Sequence, residues 1–194
     1  MIHSLTVILV ILLLEISQIS TLERSFLIKT IFISLVGTAL EEVVFEICDC
    51  RVIESSTFSN SNIKSIIFNE YVEEIQENTF TGIANLKRVT FNNHGNNSDI
   101  IFKTNCMSNL DTLEEIVLPE GINLIIEDDS LISQTLFKMN IPENCNVDYR
   151  NLIKNCPKLR YSLPPHILIL LYKNTLPHPI LGFKLALVMM YSHK

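Results

Sequence analysis

Apolar and polar positions along the chain alternate with a long period. The motif apolar-x-x-apolar-x-apolar occurs at Leu40–Val43–Phe45, Ile63–Ile66–Phe68, Leu86–Val89–Phe91, Leu113–Ile116–Leu118 and Leu136–Met139–Ile141. A degenerate sixth copy opens at Leu159, where Ser162 and Pro164 take the apolar places. The openings stand at 40, 63, 86, 113, 136 and 159, so the steps are 23, 23, 27, 23 and 23. An apolar chain produces short apolar motifs by chance, and a second marker in phase is needed. Five or six residues before each new opening stands a large apolar residue: Phe58, Phe80, Met107, Leu131 and Ile153. Five residues before those stand Ile53, Ile75, Phe102 and Ile126, with Asp148 breaking the column in the last copy.

Each motif ends in strict alternation, the periodicity of a strand with one face covered. Phe, Val, Ile and Thr dominate there and favour a pleated, half-buried surface. A unit of about 23 residues holds a short strand, a turn, a return path and another turn, so successive strands must run parallel and side by side. One such unit cannot cover its own apolar face, and stacking on its neighbours makes the core continuous. The predicted class is α/β, β-dominated: a solenoid with one short parallel strand per repeat. Ile66, Val89 and Ile116 are then expected next to one another on adjacent strands, with Phe58, Phe80, Met107, Leu131 and Ile153 filling the core from the convex side.

Val72–Phe91 runs VEEIQENTFTGIANLKRVTF, and Ile153–Leu159 runs IKNCPKL. These stretches resemble the BspA-like (Treponema-type) leucine-rich repeat. Its unit of about 23 residues carries an Ile, a Phe five residues on, a small or Cys position, and a Leu that opens the strand, often closed by Pro. Ile75, Phe80, Ile83 and Leu86 match in order; Ile153, Cys156 and Leu159 match the later part; Leu118–Pro119 and Ile141–Pro142 match the closing Pro. The resemblance covers Leu40 to Pro164. It departs where Met107, Leu131 and Ile153 replace Phe, and in the scarcity of glycine. It implies a leucine-rich-repeat solenoid, interaction roles in surface or secreted proteins, and no catalytic residues.

Strand alternation also predicts which residues face a partner. Between the two inward members of each motif lies an outward position, occupied in turn by Val44, Ile67, Thr90, Val117 and Asn140. Two residues earlier lies a flanking column: Glu42, Ser65, Arg88, Glu115 and Lys138. Together they form the expected ligand-binding concave face. The alternative is β-branched packing between adjacent strands with no ligand. The 27-residue step places an insertion at Asn92–Asp99, a loop by composition. Within it, Asn96-Asn97-Ser98 is a glycosylation acceptor if the chain is secreted.

The ends fall outside the repeat. Residues 1–24 form an apolar N-terminal segment, 25–164 the solenoid, and 165–194 an apolar tail or cap beyond Pro164-Pro165. Leu5–Leu14 has the length of a signal-peptide core, but no Lys or Arg precedes it. A cleaved or anchoring signal and a cap on the solenoid both fit it. Ile31–Leu40 is short, contains Gly37 and belongs with the fold. In the tail, Lys173, Pro177, His178, Pro179 and Lys184 interrupt the apolar runs and disfavour a membrane span. A cap or an amphipathic membrane-contacting tail both remain.

Composition narrows the partner more than the fold. Hydrophobic residues make up 47% and charged residues 19% of 194, with mean hydropathy +0.29. That suits one packed domain. The net charge of −6, with no Lys/Arg cluster, argues against nucleic acid and for another protein or surface macromolecule. Membrane association through the termini is the other route. Location at the cell surface or outside it is expected, with the cytoplasm as alternative. Cys48, Cys50, Cys106, Cys145 and Cys156 are odd in number, so at least one thiol stays unpaired within a monomer. Cys156 falls in register as a small core residue. No Gly-rich phosphate loop, nucleophile elbow or His pair at metal-ligand spacing is present, and His3, His94, His166, His178 and His193 are scattered. Glu127-Asp128-Asp129 lacks the spacing and glycine of a calcium loop and fits a solvated turn. No cofactor, no metal and no enzyme activity are expected.

Overall fold

The computed structural model describes residues 7–12, 40–47, 50–92, 98–142 and 145–161. Asn96, most of the Asn92–Asp99 loop, Cys48, all five histidines and residues 162–194 lie outside them, as does most of 1–39.

The chain winds in stacked turns. β1 (Val7–Leu12) is followed by β2 (Leu40–Ile47), β3 (Val52–Ile53), β4 (Ser65–Phe68), β5 (Glu74–Ile75), β6 (Arg88–Phe91), β7 (Asp99–Phe102) and β8 (Met107–Ser108). Then come β9 (Glu115–Val117), β10 (Asn123–Ile126), β11 (Leu131–Ile132), β12 (Lys138–Met139), β13 (Cys145–Asn146), the helix α1 (Tyr149–Asn155) and a 3-10 turn at Pro157–Tyr161. The larger sheet has the order β1-β2-β4-β6-β9-β12, and every pairing in it is parallel. Ile66, Val89 and Ile116 pair on adjacent strands, as the period requires. The chain is thus a parallel β-solenoid with turns of about 23 residues.

Each turn carries more than the one strand expected. A second sheet, β13-β10-β7-β5-β3, runs along the opposite side of the solenoid. Its register lines up Ile53, Ile75, Phe102 and Ile126, the marker column of the sequence. A two-stranded pairing of β8 with β11 follows it. Three of the second sheet's five strands have two residues and show no periodicity of their own, and in Asp99–Phe102 and Asn123–Ile126 apolar residues follow one another without alternating, so alternation did not reveal them.

The core lies between the two sheets. Val43, Ile66, Val89, Ile116 and Met139 bury one line of the larger sheet, and Phe45, Phe68, Phe91 and Leu118 bury the next. Phe rings meet from turn to turn: Phe58–Phe80 is stacked with centroids 5.3 Å apart, and the tilted pairs Phe45–Phe68 and Phe68–Phe91 are 5.2 Å and 5.0 Å apart. Phe58, Phe80, Met107 and Leu131 are buried as expected.

Ile153 departs from the expectation of a core position. It lies on α1 and is only half-buried, while Leu152 takes the inward place. The cause is Asp148, whose carboxylate accepts from the backbone N–H of Arg150 and Asn151 and caps the helix. A helix replaces the strand and shifts the inward position by one residue. Leu159 of the degenerate copy remains fully buried within the 3-10 turn.

Left-handed residues recur in step with the turns. Two positions before each buried marker stand Ser56, Asn78, Asn105 and Asp129, with φ of 62°, 57°, 58° and 54°. Two positions after the first three stand Asn60, Gly82 and Asn109, with φ of 58°, 75° and 59°. Asn, Asp and Ser thus hold turn positions that glycine would otherwise fill, since short polar side chains tolerate this region.

Candidate interaction face

The outward lines of the larger sheet come from the same alternation that fills the core. Val44, Ile67, Thr90 and Val117 stand in one register line across four strands, and all are half-buried. Glu42, Ser65, Arg88, Glu115 and Lys138 stand in the neighbouring line across five. The structure therefore brings the sequence-predicted columns together as columns.

The charged line is bonded in two stretches, Glu42 with Ser65 and Arg88 with Glu115 and Lys138. Ser65 Oγ donates to Glu42 Oε1 at 2.8 Å. Glu115 receives Arg88 Nη2 on one oxygen and Lys138 Nζ on the other, each at 2.5 Å. Lys138 first, with Arg88 behind it, holds the Glu115 carboxyl below its ordinary value against the opposing effect of burial. One residue earlier along each strand, Lys64 pairs with Glu41, and Lys87 lies 3.6 Å from Glu114. Arg51–Glu73 and Lys103–Glu127 repeat the pattern elsewhere on the solenoid. All of these pairs join adjacent turns, because strand register places residues one repeat apart side by side.

Asn140 differs from the other four members of its line. Its side-chain Oδ1 accepts from Leu118 N at 2.9 Å and its Nδ2 donates to Leu118 O. The amide imitates a strand backbone and continues the ladder one residue beyond β12. An amide held this way is engaged within the protein. Phe137, which the sequence did not single out, is 49% exposed just before β12; Tyr71, after β4, is 43% exposed.

The acidic turn has a structural task. Glu127 accepts from Lys103 Nζ at 2.8 Å and from Thr104 N at 3.0 Å, and its carboxyl is held low chiefly by Lys103. Asp128 and Asp129 are exposed. Among the described residues, no group of three or more His, Cys, Asp or Glu is placed to hold a metal. Among them too, no helix is long and apolar enough to cross a membrane. Cys50 is buried and disulfide-bonded, while Cys106, Cys145 and Cys156 are free thiols.

Compared with known proteins, residues 29–160 match the family model of the BspA type leucine rich repeat region, in six copies. No curated protein and no solved structure matches the chain.

Proposed function

The chain belongs to the BspA-type leucine-rich-repeat family, and on that premise we propose that it is a non-catalytic protein-binding module whose outward sheet face holds the partner. Such repeats generally serve protein interaction. The observation that carries the assignment is the unbroken register of outward residues on successive strands, which presents one repeated surface to a single partner. Val44, Ile67, Thr90 and Val117 supply the contact, and Glu42, Arg88, Glu115 and Lys138 border it. Asn140 closes the sheet edge and contributes shape. The partner is a protein at or outside the cell surface, where the chain acts as an adhesin or receptor-like unit.

Ile67→Lys and Val117→Lys test this. Both place a charge on the outward line and leave the inward lines intact. Capture of the partner from surface extracts should fall at least tenfold, with the circular dichroism spectrum unchanged. Full capture by both folded variants would refute the binding face. Fractionation of cells expressing the full chain, with and without residues 1–20 and 165–194, tests the competing assignment in which the apolar ends attach the protein to membranes.

A further inference from the structure

We infer that the outer edge of β2 is an acceptor site for an apolar strand, and that Val7–Leu12 is its resident occupant: a segment from outside the repeats that seals the first turn of the solenoid instead of contacting a membrane.

β1 is not a repeat. The family match begins at residue 29, and β1 ends at Leu12. Each strand of the larger sheet from β2 onward shares its turn with a strand of the second sheet. The second sheet ends at β3 and holds no strand for β1 among the described residues. The ladder to β2 also shifts register between Val7 and Ile8 and between Ile11 and Leu12, as no other pairing of the larger sheet does. A rung stacked by the repeat period keeps one register; a strand added from elsewhere need not.

β2 is nonetheless built to be paired on that side. β4 takes only Glu42, Val43 and Val44. β1 pairs at six positions, and Leu40, Phe45 and Ile47 find a strand partner in β1 alone. Burial gives the reason. Val43 and Phe45 are fully buried, although β2 is the first strand of the repeats and has a neighbouring turn on one side only. Its other flank lies open to water unless a further strand runs beside it, and a stacked array needs a cover at each end. By register, Leu9 and Ile11 stand opposite Val43 and Phe45. The last turn is covered by different means, since α1 and the 3-10 turn add Leu152 and Leu159 to the core.

The sequence of β1 fits the task. VILVIL carries no charge, Gly or Pro, and an unbroken apolar run suits a strand of a parallel sheet. Strand addition draws affinity from main-chain hydrogen bonds and selectivity from alternate side chains. The ligand class of this edge is therefore an extended apolar peptide laid parallel to β2. The same six residues cannot pair with β2 and lie in a bilayer at once, so occupancy of the edge decides which they do.

The test uses the full chain and a full-length variant, Leu9→Pro with Ile11→Pro, which cannot hold the ladder. Hydrogen exchange read by mass spectrometry should find the amides of Val7–Leu12 and Leu40–Ile47 exchanging at least tenfold slower than in an unstructured peptide, with or without phosphatidylcholine vesicles. In the variant, Leu40–Ile47 should speed up at least tenfold while Arg88–Phe91 keeps its rate. A labelled peptide of residues 5–14, flanked by lysines for solubility, should bind the variant at least tenfold tighter than the full chain, because only the variant leaves the edge free. Unprotected amides in Val7–Leu12 of the full chain overturn the inference, and this measurement decides alone should the variant fail to fold. Vesicles that keep Val7–Leu12 protected but release Leu40–Ile47 overturn it in favour of the membrane. Unchanged protection of Leu40–Ile47 in the variant, or equal peptide binding by both chains, overturns the acceptor edge. None of these readouts involves the outward face, so the binding module and the sealed edge stand or fall separately.

Discussion

The left-handed positions show how single residues set the turns. Asn78 at φ 57° and Gly82 at φ 75° bracket Phe80, and Ser56 and Asn60 bracket Phe58 in the same way. An L-residue with a Cβ and no local hydrogen bonding is disfavoured there by about 1–2 kcal/mol. Asn78→Ala should therefore lower stability by about 1 kcal/mol in urea unfolding, while Asn78→Gly should change it by a few tenths at most. Equal losses for both would mean that the Asn side chain, and not the backbone, carries the effect. Gly82 is more constrained, because an added Cβ would fall 2.4 Å from Asn60 Oδ1. Glu115 supplies a pH-dependent counterpart. Its carboxyl is held below the ordinary value by Lys138 and Arg88, so its contribution is complete above the unfolded value of about 4.3. It is lost as pH falls through the lower folded value. Melting temperatures of the natural chain and Glu115→Gln should differ by a constant amount from neutral pH to about pH 4.5 and converge below it. A gap that widens on acidification would contradict the sign.

At the scale of elements, the aromatic stack couples one turn to the next. Phe68 is fully buried, and its ring lies near those of Phe45, Phe58 and Phe91 at 5.2, 6.1 and 5.0 Å. Phe68→Ala should cost about 3–5 kcal/mol in denaturant unfolding, because rings held by two neighbouring turns cannot collapse into the cavity. Phe137→Ala, on an exposed ring, should stay within about 0.5 kcal/mol. The inward lines of Val43 to Met139 and Phe45 to Leu118 were legible in the sequence because alternation and a 23-residue step both mark them. The second sheet was visible only as the column Ile53, Ile75, Phe102 and Ile126, since its strands are either two residues long or, as in DIIF and NLII, run apolar residues together without alternation. Asp148 looked like a failed core position and is a helix cap; seven residues are too few for a helical period to stand out. The register of the two columns up to Val117 and Lys138 was legible, but the bonding within them was not. The signal was present: Glu41 and Lys64 lie one step apart, as do Glu115 and Lys138, and opposite charges one period apart become neighbours in a solenoid. Asn140 could not have been found this way, since its role depends on an amide reaching the backbone of Leu118.

For the molecule as a whole, stability is set by how many neighbours each turn has. In a stacked array each rung is held by those on either side, so inner rungs open only with much of the structure and end rungs open more readily. The free thiols sample this gradient. Cys145 is half-buried at β13, with its sulfur 2.9 Å from the Tyr149 hydroxyl. Cys156 is fully buried behind α1, and its thiol is pushed up to about 11 by burial. Cys106 is buried in the middle of the solenoid between the turns of Phe80 and Leu131, and burial raises its thiol further still. Alkylation needs the thiolate, so both buried groups react only through opening. Timed iodoacetamide labelling followed by peptide mass analysis should modify Cys145 first, Cys156 next and Cys106 last. The Cys106 rate should track global unfolding as denaturant is added, whereas the Cys156 rate should exceed it in water and merge with it only near the unfolding midpoint. Cys106 reacting as fast as Cys156 throughout would mean that the turns unfold as one block, and that the stack has no weaker end.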